Sequence, residues 1–250
     1  RSAQSQVDEL QYLKERYNTD FFIYNEPLMN GNIPLLEHKT DEILRRGLEV
    51  RYGGNLMVRP QMSPGLFQKM RRSGFTVAIV GIESGCTETL RQMRKYHDAE
   101  AGAAFIRNCH DAGIRVELNI IVGFPTETEG HFQETLRFIR DNRSHIDCIV
   151  SVATFNVVYS ELWGLRDQFG IVSRPGADTF EWQTKDGTNT YEIRVDRLNR
   201  FTAEMREMGL IPARTDTEIR RQAPNPGKAF LNAYAAHWRG DATLSADDRR

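Results

Sequence analysis

Two glutamates, Glu26 and Glu83, each close an apolar segment of the sequence. Glu26 follows Phe21-Phe22-Ile23-Tyr24-Asn25, and Glu83 follows Val77-Ala78-Ile79-Val80-Gly81-Ile82. A carboxylate at the end of an apolar strand must be paired or solvated, because an isolated buried charge is costly. Asn55 and Arg59 stand near the end of a third such segment, and Asn119 lies inside a fourth. Together they form a ring of donors and acceptors suited to a polar, zwitterionic small molecule with an amine, a carboxylate and a sugar. Glycine-rich turns, Gly81 to Gly85 and Gly123 to Thr128, let the backbone approach such a ligand closely. The same residues also fit plainer roles. Glu26 and Glu83 suit helix capping or pairing with arginine, and Asn119 suits a satisfied core amide. Lys95 suits a solvated helix end and Cys86 a partly buried small residue.

Positioning these groups takes a regular scaffold. Val7, Leu10, Leu13 and Tyr17 recur at helical spacing and predict a helix that ends before Asn18. Residues 20–26 predict a strand, and 35–46 a helix with Gly47 just past its end. A strand over 49–59 contains Gly53-Gly54, the mark of a bulge or a close approach. Ser63 and Pro64 are the N-cap and first position of a helix carrying Leu66, Phe67 and Met70, which Gly74 ends. Residues 76–82 are almost continuously apolar, as in a strand covered on both faces. Helices come next over 87–93 and from Asp98 to His110, then a strand over 115–124. Thr126 and Glu129 have capping-box spacing and open a helix through Arg140. A last strand spans 148–158, with Thr154 and Asn156 in it.

Strand and helix alternation of this kind implies parallel strands joined by crossovers. An open doubly wound sheet and a closed or partial barrel both fit, and in either one ligands bind at the carboxyl ends of the strands. Beyond residue 159 the pattern changes. A long helix over 191–210 carries Ile193, Leu198, Phe201, Met205 and Met208 on roughly one face, Pro224 and Pro226 break the chain, 229–238 suits a short helix, and 245–250 a disordered charged tail.

Composition narrows the function. With 33 Lys+Arg against 34 Asp+Glu the net charge is -1, which argues against nucleic acid as the main partner. Hydrophobic residues at 40% and charged residues at 27% describe a folded chain, and no apolar run is long enough for a membrane span. The three cysteines, Cys86, Cys109 and Cys148, lie too far apart for zinc or iron–sulfur ligand spacing, and their sparseness suits a reducing, cytoplasmic setting. The six histidines show no metal spacing and read as surface or core residues. No G-x-G-x-x-G follows a strand, which counts against a dinucleotide site.

Five stretches in order, Ile23 to Asn30, Gly81-Ile82-Glu83-Ser84-Gly85, Met93-Arg94-Lys95, Ala112-Gly113-Ile114 and Gly123-Phe124-Pro125-Thr126-Glu127-Thr128, closely resemble the radical S-adenosylmethionine (radical SAM) superfamily. Within it the chain looks most like the group whose members often carry an N-terminal cobalamin-binding domain. The stretch from Trp182 to Ile193 is similar to the segment that comes after the barrel in that group. The resemblance implies an α/β fold, a partial (β/α)6 TIM-like barrel over 1–158, with a mainly helical C-terminal extension over 159–250. It implies an enzyme in which S-adenosylmethionine chelates a [4Fe–4S] cluster and one electron cleaves it to a 5′-deoxyadenosyl radical, or in which cobalamin-dependent methyl transfer is supported. It also implies a small-molecule substrate and a reductant protein such as flavodoxin or ferredoxin.

By position, Asn25-Glu26 corresponds to the acidic strand-end motif near the cofactor's amino group, with Glu26 where Asp is common. Glu83, with Ser84 beside it, corresponds to the strand-end glutamate that contacts the cofactor. Lys95 falls where members place a base near its carboxylate, Asn119 where they place a polar group near the ribose, and Arg59 is a weaker match. One departure matters. The superfamily's C-x-x-x-C-x-x-C is absent from these 250 residues. The expectation is a barrel lacking its first strand and cluster loop, with the cluster ligands and any cobalamin domain outside this chain. A second reading is a cluster-free, non-catalytic homologue that binds a nucleoside or a protein partner.

Overall fold

Most helices of this protein begin on a side chain that can accept a backbone hydrogen bond. In the computed structural model, which describes residues 1–155, 157, 161–173 and 181–210, Ser2 caps α1 (Ala3–Tyr17) and Asn32 caps α2 (Ile33–Arg46). Ser63 caps α3 (Pro64–Arg72), and Asp98 caps α5 (Ala99–Asp111). Thr128 caps α6 (Glu129–Asp141), and Thr190 caps α8 (Tyr191–Glu207). Each cap occupies one of the donors that a helix start leaves orphaned. The short α4 (Thr87–Gln92) starts at Cys86 without a side-chain cap. The capping box expected from Thr126 and Glu129 is displaced by two residues. Thr128 is the cap, and His131 returns the second bond to its backbone N–H. Histidine is not the usual Glu or Gln of that motif, so the Thr126–Glu129 spacing misled.

Five strands alternate with these helices: β1 (Phe21–Tyr24), β2 (Arg51–Met57), β3 (Phe75–Glu83), β4 (Arg115–Val122) and β5 (Cys148–Thr154). They form one parallel sheet in the order β1-β2-β3-β4-β5. A doubly wound sheet must reverse its strand order at a switch point. Here every neighbour is also the next strand in the chain, which is the winding of a partial barrel. The described part of the C-terminal segment holds α7 (Glu161–Gly164), an antiparallel pair β6 (Ile171–Ser173) and β7 (Trp182–Thr184), and α8. Helix α8 packs on β4 and β5. The helix expected over 229–238, the break at 223–227, the tail at 245–250 and Asn156 lie outside the described residues. No helix among the described residues is long and apolar enough to cross a membrane.

The core lies between sheet and helices. Ala78, Val80 and Ile82 of β3 and Val116, Leu118, Ile120 and Val122 of β4 meet Phe67, Phe105, Phe132, Ile139 and Phe201 from the helices. Close approach needs glycine at two places. At Gly54 of β2, beside the register shift at Tyr52/Gly53, a Cβ would lie 2.5 Å from the Met29 sulfur. At Gly85 a Cβ would overlap Cβ of Phe138 and come within 2.9 Å of the Thr135 backbone. Backbone cannot yield as a flexible side-chain end can, so Gly85→Ala is expected to cost about 1–3 kcal/mol in urea unfolding. Gly130→Ala, in α6 where a Cβ meets only Thr128 Oγ1 at 3.6 Å, is expected to be neutral or to stabilise by about 0.5–1 kcal/mol. Equal effects at the two sites would contradict this packing.

Candidate functional site

Parallel strands all end on one edge of the sheet, so the residues beyond the ends of β1 to β5 converge there. Register then decides which side chains share a layer. Met57 of β2, Gly81 of β3, Asn119 of β4 and Ser151 of β5 are partners across the sheet. One layer toward the strand starts lie Asn55, Ile79, Glu117 and Cys148. Because Val116, Leu118, Ile120 and Val122 face the helices, Glu117 and Asn119 face the opposite side, the concave face of the partial barrel. Asn119 is half-buried there.

Glu83 is the most constrained residue of this edge. It has φ 66, in the left-handed region, and the β3–β4 register shifts between Gly81 and Glu83. A non-glycine residue held this way costs about 1–3 kcal/mol unless its surroundings over-determine it, and such strain concentrates at functional sites. The kink folds the carboxylate back over Gly81, where a Cβ would sit 2.9 Å from Glu83 Oε1. Lys95 Nζ donates to the same Oε1 at 3.0 Å. Its ammonium keeps further donors and is about a third exposed. Glu83 therefore does not cap the helix after it. Ser84, by contrast, is fully buried. Its hydroxyl lies 3.0 Å from Thr135 Oγ1 and accepts the Cys86 N–H, so it is engaged inside the turn and not on the open face.

The β1–β2 side is assembled by the loop after β1. Asn30 donates to the Met57 carbonyl at 2.7 Å and accepts the Met57 N–H at 3.0 Å, docking the loop onto β2. Asn55 donates to the Glu26 carbonyl at 3.4 Å, and Arg59 to that of Gly31 at 3.4 Å. Asn25 is exposed and Glu26 half-buried. Arg59 Nε is buried without a hydrogen-bond partner among the described residues, a donor that suits an anionic ligand group. Behind this loop Lys39 is buried, its ammonium 4.0 Å from the centre of the Tyr24 ring. Burial pulls it down to about 8, against the opposing pull of the Glu26 charge.

The loop between β4 and α6 is held from α8 and the segment before it. Asn189 Nδ2 donates to the Phe124 carbonyl at 2.8 Å. Arg194, wholly buried, stacks 3.7 Å from the Trp182 ring centre and donates to Asn189 Oδ1 and the Trp182 carbonyl. Gly123, with φ 87, lies against the Arg194 stem, where any Cβ would overlap it. Arg197 donates to Glu127 Oε1 at 3.2 Å and to the Glu127 carbonyl at 3.0 Å, and Glu127 Oε2 accepts the Gly123 N–H. Arg200 grips Glu129 with two bonds. Burial pushes the Glu127 carboxyl up to about 7, against the opposing effects of Arg197 and the Gly123 N–H.

These residues were invisible as site residues in the sequence, although a signal existed. Lys39 follows Leu36 by three and precedes Ile43 by four, and all three are buried. Arg194, Arg197, Phe201 and Met205 form the buried stripe of α8, where the sequence pattern alone favoured Ile193, Leu198 and Met208. A cation at a buried helical position marks a partner to be found. The three cysteines are buried and do not converge on a common point, and burial pushes the Cys86 and Cys109 thiols up. The donor set at the strand ends thus fits a zwitterionic cofactor. The thiols of this chain do not fit as ligands of an iron–sulfur cluster.

Glu127 gives the loop a pH dependence with a fixed sign. Folding raises its carboxyl from the ordinary value of 4.5 to about 7, so the folded state binds the proton more tightly. Its contribution to stability is complete below about 4.5 and is lost as pH rises to about 7. Glu127→Gln, which keeps an acceptor for the Gly123 N–H, is expected to flatten that part of a Tm-against-pH profile between pH 5 and 8. Parallel profiles for the two proteins would show that Glu127 does not titrate there.

Comparison with known proteins agrees with this fold. The Radical SAM superfamily profile matches residues 1–139. The anaerobic magnesium-protoporphyrin IX monomethyl ester cyclase of Rubrivivax gelatinosus is 28% identical over 144 residues, 56% of this chain and 26% of that protein. A tRNA-2-methylthio-N(6)-dimethylallyladenosine synthase of Pectobacterium atrosepticum is 37% identical over 62 residues, 24% of this chain and 13% of that protein. In fold, the chain is similar to the radical S-adenosylmethionine methyltransferase TsrM from Kitasatospora setae, solved with cobalamin and a [4Fe-4S] cluster. The TM-score is 0.61 at 14% identity, covering 83% of this chain and 47% of TsrM. The matches span less than half the length of each of these proteins. On the strength of the match to more than half its residues, the chain belongs to the Radical SAM superfamily.

Proposed function

We propose that this half-barrel is the S-adenosylmethionine-binding core of a radical SAM enzyme acting on a small molecule. The observation that carries the reading is the kinked end of β3, where Glu83 and Lys95 form an ion pair beside Asn119 on the concave face. The Lys95 ammonium, with donors to spare, takes the cofactor's carboxylate. Glu83 contacts the cofactor through its second oxygen. Asn25 and Glu26 at the end of β1 serve the amino group, Asn119 a ribose hydroxyl, and the orphaned Arg59 Nε an anionic group. Ser84 supports the turn that sets Glu83. When bound, the [4Fe–4S] cluster supplies the electron for cleaving S-adenosylmethionine, and its ligands belong to residues outside these 250. The cofactor carries the hard chemistry, and the protein orients and shields it.

Residues 1–158 supply the cofactor side, and 159–250 form an extension whose described part fixes the β4–α6 loop. Likeness of fold to TsrM supports a cobalamin-dependent reaction, with a cobalamin domain outside this chain. A cytoplasmic setting and a flavodoxin- or ferredoxin-type reductant are consistent with the near-neutral, cysteine-poor composition. The test is equilibrium binding of S-adenosylmethionine to the full-length protein reconstituted with iron and sulfide. Lys95→Met is expected to weaken binding at least tenfold with little change in Tm, because the methionine side chain replaces the partly buried Lys95 stem without opening a cavity. Wild-type affinity in Lys95→Met and in Glu83→Gln alike would overturn the assignment.

A further inference from the structure

Opposite the candidate cofactor site lie the segments that lead into the strands. Helix α5 ends at Asp111 and returns to β4, and the 3-10 turn Arg143–His145 returns to β5. Strands β4 and β5 are neighbours, so these two returns meet at the amino-terminal edge of the sheet. There His110, Asp111 and His145 come together, with one ligand atom of each within 4.8 Å of the others. Nothing in the sequence spacing couples His110 to His145, and only the parallel pairing of β4 and β5 unites them.

We propose that His110, Asp111 and His145 form a binding site for a zinc-class divalent transition metal. The geometry is close to that of a ligand set. Zinc–nitrogen bonds of about 2.0–2.1 Å at a tetrahedral angle place two imidazole ring centres about 5.2 Å apart and adjacent donor atoms about 3.4 Å apart. The His110 and His145 ring centres are 5.1 Å apart with planes at 84°, and His110 Nδ1 lies 3.4 Å from Asp111 Oδ1. The rings already have the required separation. The widest donor gap is at most 4.8 Å, so binding asks the donors to close by at most about 1.4 Å. Two imidazoles and one carboxylate select zinc, nickel or copper over magnesium and calcium, which prefer all-oxygen sites.

The frame is rigid on one side. Arg143 donates to the Met208 carbonyl at 2.8 Å and to that of Ile146 at 3.1 Å, and the His145 N–H bonds the Asn142 carbonyl. His145 is half-buried, whereas His110 and Asp111 are exposed and leave room for water as a fourth ligand. A metal here would tie the entrance of β4 to that of β5. Its free energy would add to the stability of the folded state.

Calorimetric titration of the chain with Zn2+ tests this, with the Co2+ spectrum and Tm as further readouts. One Zn2+ per chain at micromolar affinity is expected, with a rise in Tm and visible Co2+ bands of low coordination number. His110→Ala/His145→Ala, changed at one exposed and one half-buried side chain outside the apolar core, is expected to fold, to bind at least tenfold more weakly and to lose the Tm rise. Equal binding by the double variant would place the metal on other side chains and overturn the proposal, as would no binding by the wild-type chain at 100 μM. Because the readout involves neither S-adenosylmethionine nor turnover, its failure leaves the cofactor assignment standing.

Discussion

Parallel pairing in fixed register is the constraint on which the rest of this structure depends. A parallel sheet brings every strand end to one edge, and a side-chain period of two gives each strand one helix-facing and one concave row. Met57, Gly81, Asn119 and Ser151 share a layer only because four strands hold that register. A slip of one residue in β4 would turn Asn119 into the apolar core and expose Leu118 or Ile120 to the barrel interior. The buried aliphatic row against the helices therefore specifies the polar row on the opposite face.

The register is broken where chemistry gathers. The β3–β4 ladder shifts between Gly81 and Glu83, and the left-handed backbone of Glu83 sits at that break. In a regular strand the pleat alone would carry Glu83 onto the concave row with Ile79 and Gly81. The kink folds it over Gly81 and toward Lys95, so the absent side chain of one residue shapes the carboxylate of another. Local strain and a satisfied ion pair are two sides of one arrangement.

What the sequence made legible was whatever local chemistry decides. Ser63-Pro64, Asp98 and Gly47 announce their helix ends by capping and backbone preference, and all three hold. The apolar run 76–82 marks β3 to within one residue at each end. The doubly wound alternative stayed open because strand order is a property of the sheet and not of any segment. At the strand ends, Glu83 and Lys95 meet while Ser84 turns inward to Thr135, 51 residues away. Its fate depends on where α6 crosses, which no motif encodes. Asn189 and Arg197 were hidden for the same reason, since their partners Phe124 and Glu127 lie 65 and 70 residues earlier.

That separation orders events in time. The loop after β4 carries its own turn residues, but its final shape is fixed by Asn189, Arg194 and Arg197. As the chain leaves the ribosome, β1 to β4 and their crossover helices are complete tens of residues before those anchors emerge. Contacts so distant in sequence close late, because the entropy of a long loop must be overcome first. The barrel wall can thus form while the loop between β4 and α6 is still unset, and that loop takes its final shape only when α8 docks. A nascent chain halted before residue 189 would carry the β4 strand end without the segment that shapes it.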